Sequence, residues 1–283
     1  MLFDLQKKYI LYDGAMGTML QKAGLKPGEK PDLMNITSPQ AVENIHKMYV
    51  DAGSDIICTN TLGSNALNLK DTGHTPEEVI TAAVEIAKKA SAGRAKIALD
   101  IGSTGHLLEP YGDLEPEDAY EIFKEMAVAG EKAGADFVAI ETMSDVNELK
   151  EAMTAVRDNT KLPMLVTMTF EKGGRTFMGV TVADFVKLAE ELGAAAIGLN
   201  CSLEPPAMEE TAKMLFEETS LPVIIKPNAG LPDGESGQYH TGAELFAKQM
   251  KPYAEMGAKI LGGCCGTTPE YIAALKNELE NLS

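Results

Sequence analysis

Four junctions in this chain carry the same punctuation. AGSD at Gly53, AGAD at Gly134, LGAA at Gly193 and MGAK at Gly257 each close a run of helical periodicity just before an apolar run. Glycine immediately past a helix end takes the left-handed conformation without steric cost. Repetition of helix, glycine and strand implies a repeated βα module. Eight apolar runs read as strands, at 10–13, 55–59, 96–100, 137–141, 164–169, 196–201, 223–227 and 259–263. Each is continuous in apolar character, as expected of parallel strands covered by helices on one face and packed into a barrel interior on the other. Helices are expected between them. Ser38 and Pro39 open one that runs to Ala52, and Thr75, Pro76 and Glu78 form a capping box for the next. Further helical runs fall at 117–132, 145–159, 183–191, 206–219, 242–256 and 269–281, and part of 62–70 is also a candidate. Eight strands give about 35 residues per unit, the spacing of a (β/α)8 TIM barrel. The expected fold is therefore an α/β barrel, with 1–283 as a single domain. The competing fold is a doubly wound open sheet. It would carry a three-glycine phosphate turn after the first strand, and DGAMGT lacks that spacing.

The net charge of −17 comes from 25 basic and 42 acidic residues, with no basic stripe. That balance argues against a nucleic-acid partner. The start of the chain lacks the cationic and apolar blocks of a signal peptide. No apolar run approaches the roughly 20 residues that cross a bilayer, so no membrane association is expected. Four cysteines without a secretion signal read as reduced thiols, and a cytoplasmic location is the expectation.

Chemistry in a parallel barrel sits at the C-terminal ends of the strands. Here those ends carry Asp13, Thr59 and Asn60, Asp100, Glu141 and Thr142, Thr169, Asn200 and Cys201, Asn228, and finally Cys264 and Cys265. Adjacent cysteines rarely bond to each other, yet both can face one soft metal ion where glycines (Gly262, Gly263, Gly266) allow a sharp turn. Strands six and eight flank strand seven, so Cys201 starts about 10 Å from the pair. Three thiolates with one open position describe a catalytic zinc site better than a structural one. Asn228, at the end of strand seven, or a water is the expected fourth ligand before a thiol displaces it. Asp13 and Glu141 either cap the following helices or capture an ammonium group over the barrel mouth. Backbone N–H groups at 14–17 and 102–104 are candidates for a carboxylate. Cys58 reads as a small buried residue. His46 is expected on a helix surface and His74 in a loop, while His106 and His240 lie on loops where a ligand contact is conceivable.

The segments DGAMGTMLQ, DLMNITSPQAVENIHKMYVDAGSDIICTNTLGSN, GHLLEPYGDL, IETMSD, GLNCS, PNAGLP and GGCCGTTP resemble the homocysteine S-methyltransferase domain family, most closely the homocysteine-binding barrel found in cobalamin-dependent enzymes of that family. The resemblance covers residues 9 to about 275, and GLNCS followed by GGCCGT is its most specific part. It implies a zinc-bearing barrel that methylates homocysteine. The implied metal ligands are Cys201, Cys264 and Cys265. The implied substrate contacts are Asp13, Gly14, Ala15, Gly102, Ser103, Glu141 and Thr142.

The cobalamin-dependent relatives carry folate, cobalamin and reactivation modules that this sequence does not contain. Betaine-dependent members hold a quaternary ammonium with aromatic side chains. This chain has no Trp, and Thr142 stands where such members have tyrosine. Ser103 replaces a proline common in the family. The expected donor is therefore methylcobalamin carried by a separate corrinoid protein. A betaine or S-methylmethionine donor, another thiol acceptor, and a non-catalytic zinc- or thiol-binding subunit are the alternatives.

Overall fold

The computed structural model describes residues 7–231, 233 and 239–282. Pro232, the last residue of PNAGLP, lies outside them. Eight parallel strands form one sheet: β1 (Ile10–Leu11), β2 (Ile56–Cys58), β3 (Lys96–Ile101), β4 (Phe137–Met143), β5 (Met164–Met168), β6 (Ala196–Asn200), β7 (Val223–Lys226) and β8 (Ile260–Leu261). Their order is β1-β8-β7-β6-β5-β4-β3-β2. A single bridge between Tyr12 and Ile56 brings the two end strands together. Asp55 reinforces that seam, its backbone N–H donating to Leu11 O at 2.7 Å and its Oδ2 accepting from Leu11 N–H at 3.0 Å. The result is the nearly closed (β/α)8 barrel expected from the repeated module, and each of the eight expected strands is present.

Along the chain the helices are α1 (Met16–Lys22), α2 (Met34–Thr37), α3 (Pro39–Ala52), α4 (Ala66–Leu69), α5 (Pro76–Ser91), α6 (Pro116–Ala133), α7 (Val146–Asn159), α8 (Val182–Glu191), α9 (Pro205–Glu218), α10 (Ala243–Met256) and α11 (Pro269–Glu280). Gly53, Gly134, Gly193 and Gly257 have φ of 109°, 90°, 81° and 107°, as the punctuation requires. The Thr75–Glu78 capping box is formed. Ser38 differs from expectation: it precedes α3, but its side chain makes no capping hydrogen bond. Helices α1 and α2 have no counterpart in the expected set. Each is at most seven residues long, too short for periodicity to stand out.

Two apolar layers result. One packs the outer barrel face against the helices. The other fills the interior, with Ile10 and Tyr12, Ile56 and Cys58, Phe137 and Ala139, and single residues from the remaining strands. Side chains alternate along a strand, so residues two apart share a face. That parity carries Asp100 beyond Ala98, Glu141 beyond Ala139, Asn200 beyond Ala196 and Lys226 beyond Ile224 into the upper barrel.

Candidate active site

A cavity of about 490 Å³ opens at the C-terminal end of the barrel. Asp13, Gly14, Ala15, Gly102, Ser103, Glu141, Thr142, Cys201, Cys264 and Cys265 all line it. The structure therefore brings together every expected site residue except Asn228, which is on the segment after β7 and is not part of the cavity lining.

That segment explains how distant cysteines meet. Cys201 N–H donates to Lys226 O at 3.1 Å, Cys264 N–H to Pro227 O at 2.8 Å, and Ala229 N–H to Cys265 O at 2.9 Å. The end of β7 thus serves as a common rail for the chain leaving β6 and β8. The three sulfurs lie within 4.8 Å of one another, with Cys201 Sγ and Cys265 Sγ 3.8 Å apart. Hydrogen bonds from Cys201 and Cys264 pull the Cys265 pKa down to about 3, whereas Cys264 is held well above the usual thiol value.

Backbone shape supports the cluster. Cys201 and Ser202 have φ of 59° and 49°, and Thr142 has φ of 62°. Such conformations are unfavourable for side chains other than glycine and gather at functional sites. Of the three glycines around the cysteine pair, Gly266 alone takes positive φ, 82°. Gly263 is needed for close approach instead, since a Cβ there would come within 2.4 Å of Thr267 Oγ1. Asn200, fully buried, joins the cluster to β4 and β5. Its Oδ1 accepts from Thr142 N–H at 3.0 Å and from Thr167 Oγ1 at 2.9 Å. Its Nδ2 donates to Thr142 Oγ1 at 2.8 Å and reaches Cys264 Sγ at 3.9 Å.

Across the cavity sits a charged group. Asp13 caps no helix; its Oδ2 accepts from Cys58 N–H at 2.8 Å. Burial pushes its pKa up to about 7, against the pull of Lys226 and that hydrogen bond. Lys226, buried, pairs with Glu141, and its Nζ lies 4.1 Å from the Tyr12 ring centroid. Burial alone would lower the Lys226 pKa, but the anionic surroundings, Glu141 first, outweigh it and keep the ammonium charged. Cys58 is buried as expected, and burial raises its thiol pKa. It nevertheless touches the site, with Sγ 3.6 Å from the Tyr12 hydroxyl.

Several expected donors are already committed. Gly102 N–H donates to Leu62 O, Ala15 N–H to Thr267 O, and Thr104 N–H to Glu148 Oε1. A substrate carboxylate is left with neighbours such as Ser103. His106 and His240 stand outside the cavity lining, beside Asp113 and Asp233. His46 is a correction. It is fully buried on the inner face of α3, with neither ring nitrogen hydrogen-bonded among the described residues. Asp100 was noted only as a polar residue at a strand end, and Lys226 was missed. Their signal was parity, since each continues an inward-facing apolar series.

The homocysteine S-methyltransferase family profile matches residues 10–279. The chain belongs to this family. Two relatives called methionine synthase, from Mycobacterium tuberculosis and Mycobacterium leprae, are each 30% identical to it, over 98% and 96% of this chain. The chain spans about a quarter of their length, 25% and 24%. A solved structure of the Escherichia coli homocysteine methyltransferase MmuM in a metallated form superposes with a TM-score of 0.84 at 22% identity, covering 96% of both chains. That likeness shows the shared barrel fold.

The donor set can be tested against a metal. Three cysteine sulfurs converge from two strand ends, and Asn228 Oδ1 is buried without a hydrogen-bond partner among the described residues. Soft sulfur ligands with one remaining position fit Zn2+. Among the described residues, no helix is long and apolar enough to cross a membrane.

Proposed function

We propose that this homocysteine S-methyltransferase family member methylates homocysteine to methionine, with Zn2+ held by Cys201, Cys264 and Cys265. The observation that carries the reading is one cavity holding both halves of the chemistry: three sulfurs within 4.8 Å of one another, and Asp13 with Glu141. A free thiol is mostly protonated at neutral pH. The bound ion would favour the thiolate of a substrate brought to it, so no general base is required. Asn228, whose Oδ1 is buried without a partner among the described residues, would supply the fourth ligand when substrate is absent.

The protein's own residues then orient the reactants. Asp13 and Glu141 take the α-ammonium, Lys226 offsetting part of their charge. With the Ala15 and Gly102 N–H groups committed, the Ser103 N–H, without a hydrogen-bond partner among the described residues, is left for the substrate carboxylate. Thr142, fixed by Asn200, sets the wall between Glu141 and the sulfurs. A lone pair on the substrate sulfur forms the new S–CH3 bond. The donor keeps the electron pair of the bond that breaks, and the thiol proton leaves to solvent.

Methylcobalamin on a separate corrinoid protein is the donor we favour. The cavity lining holds no aromatic residue among the described residues, and the Tyr239 side chain, which hydrogen-bonds to Cys265, is the ring beside the cysteines. Exposed apolar side chains stand on four different β-to-α connections at this end, Leu62, Leu107 with Tyr111, Phe177 and Leu231. They suit a protein docking over the mouth. Residues 1–283 act in this reading as one homocysteine-binding barrel, working in the cytoplasm. Cys201→Ser and Cys265→Ser should each lose zinc and homocysteine-dependent demethylation of methylcobalamin. Full activity in zinc-free protein would overturn the proposal.

A further inference from the structure

Asp100 ends the inward-facing series of β3. It lines the cavity and is 8% exposed. Its backbone is pinned from both sides, the N–H donating to Thr59 Oγ1 at 3.0 Å and the carbonyl accepting from Thr61 Oγ1 at 2.7 Å. Its Oδ1 is buried with no hydrogen-bond partner among the described residues. Ligand atoms of Asp100, Glu141 and Cys58 lie within 4.8 Å of one another. A buried carboxylate oxygen without a partner destabilises the empty protein. Lys226, the one ammonium acting on it among the described residues, is engaged with Glu141 and the Tyr12 ring. Burial first, and Glu141 next, hold the Asp100 carboxyl well above the usual carboxylate range, and a cation arriving beside it favours its ionised form.

A primary ammonium brings three N–H donors. Asp13, Glu141 and Asp100 offer three carboxylates around one cavity. We propose that Asp100 is a substrate-positioning residue, the third carboxylate of a cradle that commits this site to thiols bearing a free primary α-amine. The inference rests on the homocysteine reading above and deepens it. It separates homocysteine from its deaminated analogue 4-mercaptobutyrate, which meets the sulfur site equally well and leaves the cradle empty. It also disfavours N-methylhomocysteine, whose ammonium has lost one donor.

Calorimetry on the zinc-loaded protein tests this. The wild type should bind homocysteine at least tenfold more tightly than N-methylhomocysteine or 4-mercaptobutyrate. Asp100→Asn, with zinc content and melting temperature confirmed, should lose most of that discrimination while its affinity for 4-mercaptobutyrate is maintained or improved. An Asn variant that discriminates like the wild type overturns the role of Asp100 and leaves the homocysteine reading standing. If Asp100→Asn fails to fold, the wild type alone decides: equal affinity for homocysteine and N-methylhomocysteine overturns the three-carboxylate cradle. A wild type that binds none of the three thiols overturns the homocysteine reading itself, and this inference with it.

Discussion

Asp13 shows what a substrate pocket costs the empty fold. Its pKa is pushed up to about 7 by burial, whereas an unfolded aspartate titrates near 4. Between those values the folded state binds more protons than the unfolded one, so stability falls as pH rises through the window. Above pH 7 the full penalty applies, on the order of 4 kcal/mol. Asp13→Asn should therefore raise the melting temperature at pH 8, with the gain shrinking toward pH 4, and should weaken homocysteine binding. Thermal melts at pH 5 and pH 8 check the first part, and an unchanged melting temperature at pH 8 would refute it. At this scale much of the site was legible in the chain. Cysteine and carboxylate at strand ends are chemically conspicuous, and the glycines around Cys264 and Cys265 mark a turn. Asp100 and Lys226 were harder, because a charge inside a barrel is recognisable only after the inward parity of each strand is assigned. The left-handed backbone at Thr142, Cys201 and Ser202 has no residue signature, since none of these types favours it.

Helix α3 carries the comparable lesson for elements. Val42, Ile45, His46, Tyr49 and Val50 share its buried face, at the i, i+3, i+4 spacing of a helix packed on the barrel. The pattern already placed His46 inward, and its polar character misled the expectation. Burial without a partner lowers its pKa to about 4. The folded state then binds fewer protons than the unfolded one between pH 4 and the ordinary histidine value near 6.5. Stability should fall as pH drops through that window, by roughly 3 kcal/mol when complete. His46→Leu should remove this acid sensitivity and leave stability at pH 8 equal or higher. Denaturant titrations at pH 8 and pH 5 measure it, and identical pH slopes in both proteins would show that His46 is not the cause. Strands were easier to foresee than the joins between them. Continuous apolar runs marked all eight, while the register shift in the β4–β5 pairing between Ile140 and Met143, where Thr142 N–H donates to Asn200 Oδ1, has no local pattern that encodes it.

For the molecule as a whole, delivery of the methyl group is a matter of access. The cavity lies at one end of the barrel, and the corrinoid carrier proposed above would approach that end. Repetition of the βα unit places all the β-to-α connections there, which is why apolar residues far apart in sequence can form one rim. Phe177, on the connection after β5, is 86% exposed, and Tyr111 and Leu107 stand on the connection after β3. Apolar exposure of that size is costly in water unless a partner covers it. Neither Phe177 nor Leu107 lines the cavity, so both can be changed without touching the site. The double variant Phe177→Ser with Leu107→Ser should keep its zinc and turn over free methylcobalamin at the wild-type rate. With the methylated corrinoid protein as donor, its KM should rise at least tenfold while kcat changes little, since truncating an interface anchor acts mainly on association. Comparing the two donors side by side isolates docking from chemistry. Equal KM values for the carrier protein in variant and wild type would place the docking surface elsewhere, and loss of activity with the free cofactor would instead tie these connections to the cavity.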